Sequence, residues 1–129
     1  MYTFLINEDN TITASMTERI MQRSKLVDSL HFLADPTYKD KDMSEYTVML
    51  EYVLPVSKRY KTEILERSKE PYKNRLEYKL PFDTNLTQEA GDIQFQITFT
   101  NVDMLGDGST VQYVRKTGPG VIHIAAISD

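Results

Sequence analysis

The sequence predicts an all-β fold, a sandwich or barrel of about eight or nine short strands. Three observations predict it. Apolar residues recur at period two, most cleanly at Ile93, Phe95, Ile97 and Phe99 against Gln94, Gln96 and Thr98. Turn-forming residues punctuate such runs along the whole chain. The aromatic side chains are eight tyrosines and five phenylalanines with no tryptophan, a set that suits pleated sheets.

Tyr2–Ile6 and Thr11–Met16 read as strands joined by the polar turn Glu8-Asp9-Asn10. Met16–Arg23 is ambiguous: Ser15 and Glu18 have capping-box spacing, but the apolar pattern is poor and an extended segment is favoured over a helix. Lys25–Ala34 alternates imperfectly, with Leu26, Leu30 and Phe32 inward, and Pro36 stops it. Pro36–Ser44 is a charged loop. Tyr46–Leu54 is the most apolar run: Val48, Leu50, Tyr52 and Leu54 share one face, Met49 and Val53 the other, as in a central strand or one covered by a partner. Pro55 ends it.

Tyr60–Glu66 alternates, and the turn Glu70–Asn74 precedes the strand Leu76–Leu80. A polar crossing follows. Thr87–Ala90 reads as the one helical turn, capped by Thr87 and ended by Gly91. After the Ile93–Phe99 strand, Gly106-Asp107-Gly108 marks a hairpin turn. Val111–Lys116 and Val121–Ile127 are the last strands, separated by Gly118-Pro119-Gly120. No linker, repeat or low-complexity tract divides residues 1–129, so a single β-sandwich domain is expected.

Composition excludes more than it selects. The chain has 129 residues and no cysteine, which removes disulfides and thiolate metal sites. Its net charge of -4, from 15 basic and 19 acidic side chains, gives no basic field for nucleic acid. No apolar run approaches the ~20 residues of a membrane helix. No metal site, cofactor site or catalytic residue is legible. His31 and His123 are the only histidines and read as ordinary sheet residues. Glu63 with Glu66, and Asp40 with Asp42, read as solvated charge rather than an acid–base pair. Asp103–Ser109 lacks a full calcium-loop pattern and reads as a hairpin tip. Asn85-Leu86-Thr87 matches a glycosylation sequon, a pattern common by chance. No phosphate-cradling glycine motif is present.

Two longer runs carry a resemblance. ERIMQRSKLVDSLHFLADPTYKDKDMSEYTVMLEYVLPVS, and then LEYKLPFDTNLTQEAGDIQFQITFTNV with VRKTGPGVIHI, resemble tail or baseplate structural proteins of bacteriophages infecting Gram-positive bacteria. The second run is similar to the N-terminal domain of phage upper baseplate proteins. There, a strand ending in Leu-Pro leads through a Leu-Thr…Ala-Gly crossing into an alternating strand. The matching positions here are Leu80, Pro81, Leu86, Thr87, Ala90 and Gly91, with Ile93–Phe99 following. The resemblance spans most of the chain and rests on structural motifs.

It implies an immunoglobulin-like antiparallel β-sandwich with no cofactor. The implied role is a virion protein that docks onto a tail or baseplate hub and helps position receptor-binding proteins, assembled in the host cytoplasm and homo-oligomeric in the particle. Family members continue into a longer C-terminal region, so the chain is expected to be a docking module alone or the N-terminal part of a longer protein. On this reading Pro81, Leu86, Thr87, Ala90 and Gly91 form a structural joint between sheets, and Gly91 lets the chain turn sharply before Asp92 enters the strand. Tyr38, Met43 and Tyr46 are the expected protein-contact residues. Tyr38, Tyr46, Tyr60 and Tyr72 are the tyrosines expected at the surface, for partner contact, sugar stacking or cross-strand packing. The alternative function is a carbohydrate-binding module for host cell-wall glycan; a hydrolase would need a cleft that brings a histidine to both a Ser and an Asp.

Overall fold

A computed structural model describes residues 2–17, 19–25, 30–81 and 84–127. The strands are β1 (Tyr2–Ile6), β2 (Ile12–Met16), β3 (Ile20–Met21), β4 (Leu30–Ala34), β5 (Thr37–Tyr38) and β6 (Lys41–Asp42). A 3-10 turn over Met43–Glu45 leads into β7 (Thr47–Val53), β8 (Tyr60–Ile64), β9 (Glu66–Arg67) and β10 (Leu76–Lys79). The chain ends with β11 (Gly91–Met104), β12 (Thr110–Lys116) and β13 (Gly120–Ala125). Four of these, β3, β5, β6 and β9, have only two residues. The longer strands are those the alternation and turn signals foretell.

The protein is an all-β sandwich. One sheet has the order β2-β1-β4-β10-β9 and the other β3-β13-β11-β7-β8, with β12 added to β11. The sheets are mixed rather than wholly antiparallel: β1 pairs with β4, and β13 with β3, in parallel. Those parallel pairs join strands with other strands or long loops between them, as parallel geometry requires.

The core lies between the sheets. Phe4 and Phe32 from the first sheet enclose Phe95 from the second, with ring centroids 5.0 and 5.7 Å from it. Each such burial contributes roughly 1.5–3 kcal/mol. Val48, Leu50, Tyr52 and Leu54 are buried together as the alternation requires. On β8 the alternation runs the other way from hydropathy: Tyr60 and Ile64 are exposed, and Glu63 turns inward to accept a 2.9 Å hydrogen bond from the Tyr52 hydroxyl.

Three expectations are corrected. The charged loop at 36–44 is a β5–β6 hairpin whose turn residues Lys39 and Asp40 both have positive φ (48° and 63°), followed by the 3-10 turn. That turn, not Thr87–Ala90, is the helical one: the Asp42 carboxylate accepts from Ser44 N at 2.9 Å and caps it. Thr87 caps nothing; its hydroxyl donates to the Ser24 carbonyl at 2.7 Å, and its own carbonyl accepts from Arg23 N. No helix forms in the described residues around Ser15; the capping partner Glu18, and the inward position Leu26, lie outside the described residues.

The joint residues cross between sheets, since β10 belongs to the first and β11 to the second. Leu86 is fully buried in that crossing, Pro81 and Ala90 are half-buried, and Gly91 has φ +128°.

The two outer faces differ. Outside the first sheet, Thr3, His31, Leu33 and Glu77 are buried. The 68–75 segment lies over them: Ser68 bonds Glu77, and the Tyr72 ring meets His31 edge-on at 4.9 Å. Outside the second sheet, the cross-strand register places Val53, Tyr60, Ile64, Val102, Met104, Val114 and Val121 on one face. All seven are exposed.

Candidate functional site

The three expected contact residues come together, but not as exposed side chains. Tyr38, Met43 and Tyr46 line one cavity of about 310 Å³ between the β5–β6 hairpin and β12. Met43 is only 1% exposed and belongs to the core, which corrects its place as a contact residue. Tyr38 and Tyr46 are half-buried against that core. Of the other tyrosines expected at the surface, Tyr60 and Tyr72 are exposed.

Four cations complete the cavity wall: Lys39, Lys41, Arg115 and Lys116, with Asn10, Tyr113 and Val114 between them. No carboxylate lines it. Arg115 is 7% exposed. Its Nε donates to Asn10 Oδ1 at 2.7 Å and its Nη2 to the Asn7 carbonyl at 3.1 Å. The guanidinium carbon lies 3.8 Å from the Tyr38 ring centroid and 4.9 Å from that of Phe99. Burial pushes its pKa below the ordinary arginine value, against the pull of Tyr38, Asp35, Tyr78 and Glu8. No carboxylate among the described residues is within ion-pair distance of it.

Tyr38 is tied into the same network. Asn10 Nδ2 donates to its hydroxyl at 3.0 Å. That bond, with the charges of Lys39 and Arg115, holds the phenol below its ordinary pKa. Lys41 Nζ sits 4.2 Å from the Tyr113 ring centroid. The cavity is therefore cationic and aromatic, a chemistry that takes carboxylates or phosphates. The tyrosines are prominent in the sequence and the cations are not, because Lys39 and Lys41 meet Arg115 only where the separate β5–β6 hairpin packs against β12. The lysines alone read as solvated charge.

β11 outruns its neighbours beside this cavity. It pairs with β7 only as far as Thr100, whereas its pairing with β12 continues to Met104 opposite Thr110. Residues 101–113 thus form a two-stranded arm beyond the sandwich. Its tip is the turn at 105–109, where Leu105 N donates to Ser109 O and Asp107 accepts from Ser109 N. The Gly106-Asp107-Gly108 hairpin is where the sequence places it.

A second constellation is buried. His31 Nε2 is 2.7 Å from Thr3 Oγ1, and Nδ1 is 2.6 Å from Glu77 Oε2. This is the order hydroxyl, imidazole, carboxylate of a nucleophilic relay, made with Thr and Glu rather than Ser and Asp. Thr3 reaches a cavity of about 310 Å³ beside Tyr72, Lys73 and Arg75. However, β1 is paired on both sides, to β2 and β4, so its backbone donors point along the sheet and not at an oxygen above Thr3. The arrangement acts as a polar strut between three strands. His123 is bonded to Asp92 at 2.7 Å at the exposed rim. No group of three metal-ligating side chains occurs among the described residues, and no helix there is long and apolar enough to cross a membrane.

Comparison with protein-family models, curated proteins and solved structures returned no match.

Proposed function

We propose that this chain is a non-enzymatic structural protein of a bacteriophage virion, in the tail or baseplate. It docks onto neighbouring virion proteins and helps to position the receptor-binding components. The observation that carries the docking reading is the open outer face of the second sheet, with exposed Val53, Tyr60, Ile64, Val102, Met104, Val114 and Val121. Exposed apolar side chains on this face, set around the polar strip of Glu51, Gln96, Thr98 and Lys116, stay in water at a cost that a partner removes. The equivalent face of the first sheet is covered in part by the 68–75 segment, over Thr3, His31, Leu33 and Glu77. The phage setting rests on the sequence resemblance.

The alternative, a module for cell-wall glycan, has less support. A sugar stacks on an open aromatic face, and in the cavity a cation already sits on a face of Tyr38 and of Tyr113. The test is mass spectrometry and antibody labelling of purified phage particles from a host that carries the coding sequence. The chain should be recovered in the particles and labelled at the tail. Recovery from the lysate but not from the particles would overturn the reading.

A further inference from the structure

The arm and the cavity are complementary in charge, and the tip of the arm, with Asp107, cannot reach the cavity of its own copy; Asp103 lies nearer, two pairs beyond Asn101–Tyr113. Residues 101–114 carry two charges, Asp103 and Asp107, and no Lys, Arg or His. The cavity carries Lys39, Lys41 and Arg115, with Lys116 at its edge turned to Glu51 at 3.9 Å, and no carboxylate among the described residues lines it. The arm grows out of the cavity wall, for Tyr113 and Val114 line it. At 3.2–3.4 Å per residue its tip stands roughly 15 Å or more from that wall. Folding back would break the paired ladder from Asn101–Tyr113 to Met104–Thr110.

The arm is also poorly stabilised where it stands. A two-stranded ribbon is marginal in water, and this one exposes Val102 (59%), Met104 (77%) and Leu105 (44%). Arg115 is largely buried and is paired with no carboxylate among the described residues, which leaves its charge available to an anion. We infer that the arm of one copy of this chain seats against the basic cavity of a second copy, bringing Asp103 and Asp107 to Lys39, Lys41 and Arg115. The contact is head-to-tail, so repetition gives a ring or a filament rather than a two-fold dimer. This inference rests on the assembly reading above and names its partner as a second copy.

A charge swap tests it. One variant carries Lys39→Glu and Lys41→Glu. The other carries Asp103→Lys and Asp107→Asn; the Asn keeps an acceptor for Ser109 N, so the turn survives. Circular-dichroism melts check that both fold. Mass by light scattering is followed against concentration and salt. The wild type should associate, less so in high salt. Each variant alone should associate at least ~10-fold more weakly, because the first removes the cavity's net positive charge and the second the arm's net negative charge. The equimolar mixture should recover association, since the unaltered arm of the first variant then meets the unaltered cavity of the second.

A wild type that stays monomeric, variants that associate as the wild type does, or a mixture no better than its parts would each overturn the inference. So would a monomeric wild type whose cavity titrates with inorganic phosphate, which would assign the cavity to a free anion. A monomer still found in purified particles would sink this inference and leave the assembly reading standing. A self-associating chain absent from particles would do the reverse.

Discussion

His31 Nδ1 lies 2.6 Å from Glu77 Oε2, beneath the segment that covers the first sheet. Ser68 adds a 2.7 Å bond to the other carboxylate oxygen. Burial alone pulls the Glu77 pKa up, but the bonds from His31 and Ser68 and the charge of Lys79 outweigh it and hold the carboxyl below its ordinary value of 4.5. The folded value is depressed, so the stabilisation is complete above the unfolded pKa and is lost as pH falls through the folded one. Denaturant midpoints measured from about pH 5 down to about pH 3 should therefore fall more steeply in the wild type than in Glu77→Gln. Parallel slopes would show that the carboxylate gains nothing from its setting.

Gly91 opens β11 with φ +128°, and a Cβ built on it would lie 2.8 Å from Pro55 Cβ. Backbone strain and a clash with a rigid ring act together here. Gly91→Val should cost roughly 2–4 kcal/mol in urea unfolding. Gly108 has φ +87° in the tip of the arm but open space around it, so Gly108→Ala should cost less, about 1 kcal/mol. Equal losses at the two sites would remove the role assigned to Pro55.

Gly120 is tight for a different reason. A Cβ there would come 2.5 Å from Phe95 Cζ, and that ring is locked between Phe4 and Phe32. Gly120→Ala should cost about 1–3 kcal/mol by overpacking. In a Phe95→Leu background the same change should cost less, with a coupling of at least ~0.5 kcal/mol. Additive losses would mean that the backbone, and not the ring, excludes the methyl.

These contacts mark the boundary of what the chain reveals as a sequence. Ile93–Phe99 is legible because alternation is local and its apolar set faces one core. Gly91 is legible because a glycine between a crossing and a strand has few other uses. The 3-10 turn is legible in principle: Asp42 and Glu45 have the Asp-x-x-Glu spacing of a helix start, hidden among alternating lysines. Thr87 misleads for a tertiary reason, since its hydroxyl is committed to Ser24, far away in the chain. The parallel β1–β4 pair depends on register between distant strands, and the convergence of Lys39, Lys41 and Arg115 on the packing of the β5–β6 hairpin against β12, neither of which a local pattern encodes.

Tyr52 and Tyr78 have similar burial and opposite hydroxyl environments. The Tyr52 hydroxyl donates to Glu63 at 2.9 Å, and Glu63 also lies 3.4 Å from Asn85 N. The Tyr78 hydroxyl has no hydrogen-bond partner among the described residues. Burial raises both phenols, Tyr52 beyond the ordinary range and Tyr78 to about 12. Tyr52→Phe strips a charged acceptor of its donor and should cost roughly 1–2 kcal/mol. Tyr78→Phe removes an unsatisfied buried hydroxyl and should be neutral, or stabilising by up to ~1 kcal/mol. A raised folded pKa makes stability complete below the unfolded value of 10.0 and lost as pH climbs towards about 12. Tyr78→Phe should therefore also flatten the alkaline loss of stability in melts run between those limits. A destabilised Tyr78→Phe would show that its hydroxyl has a partner, such as a buried water.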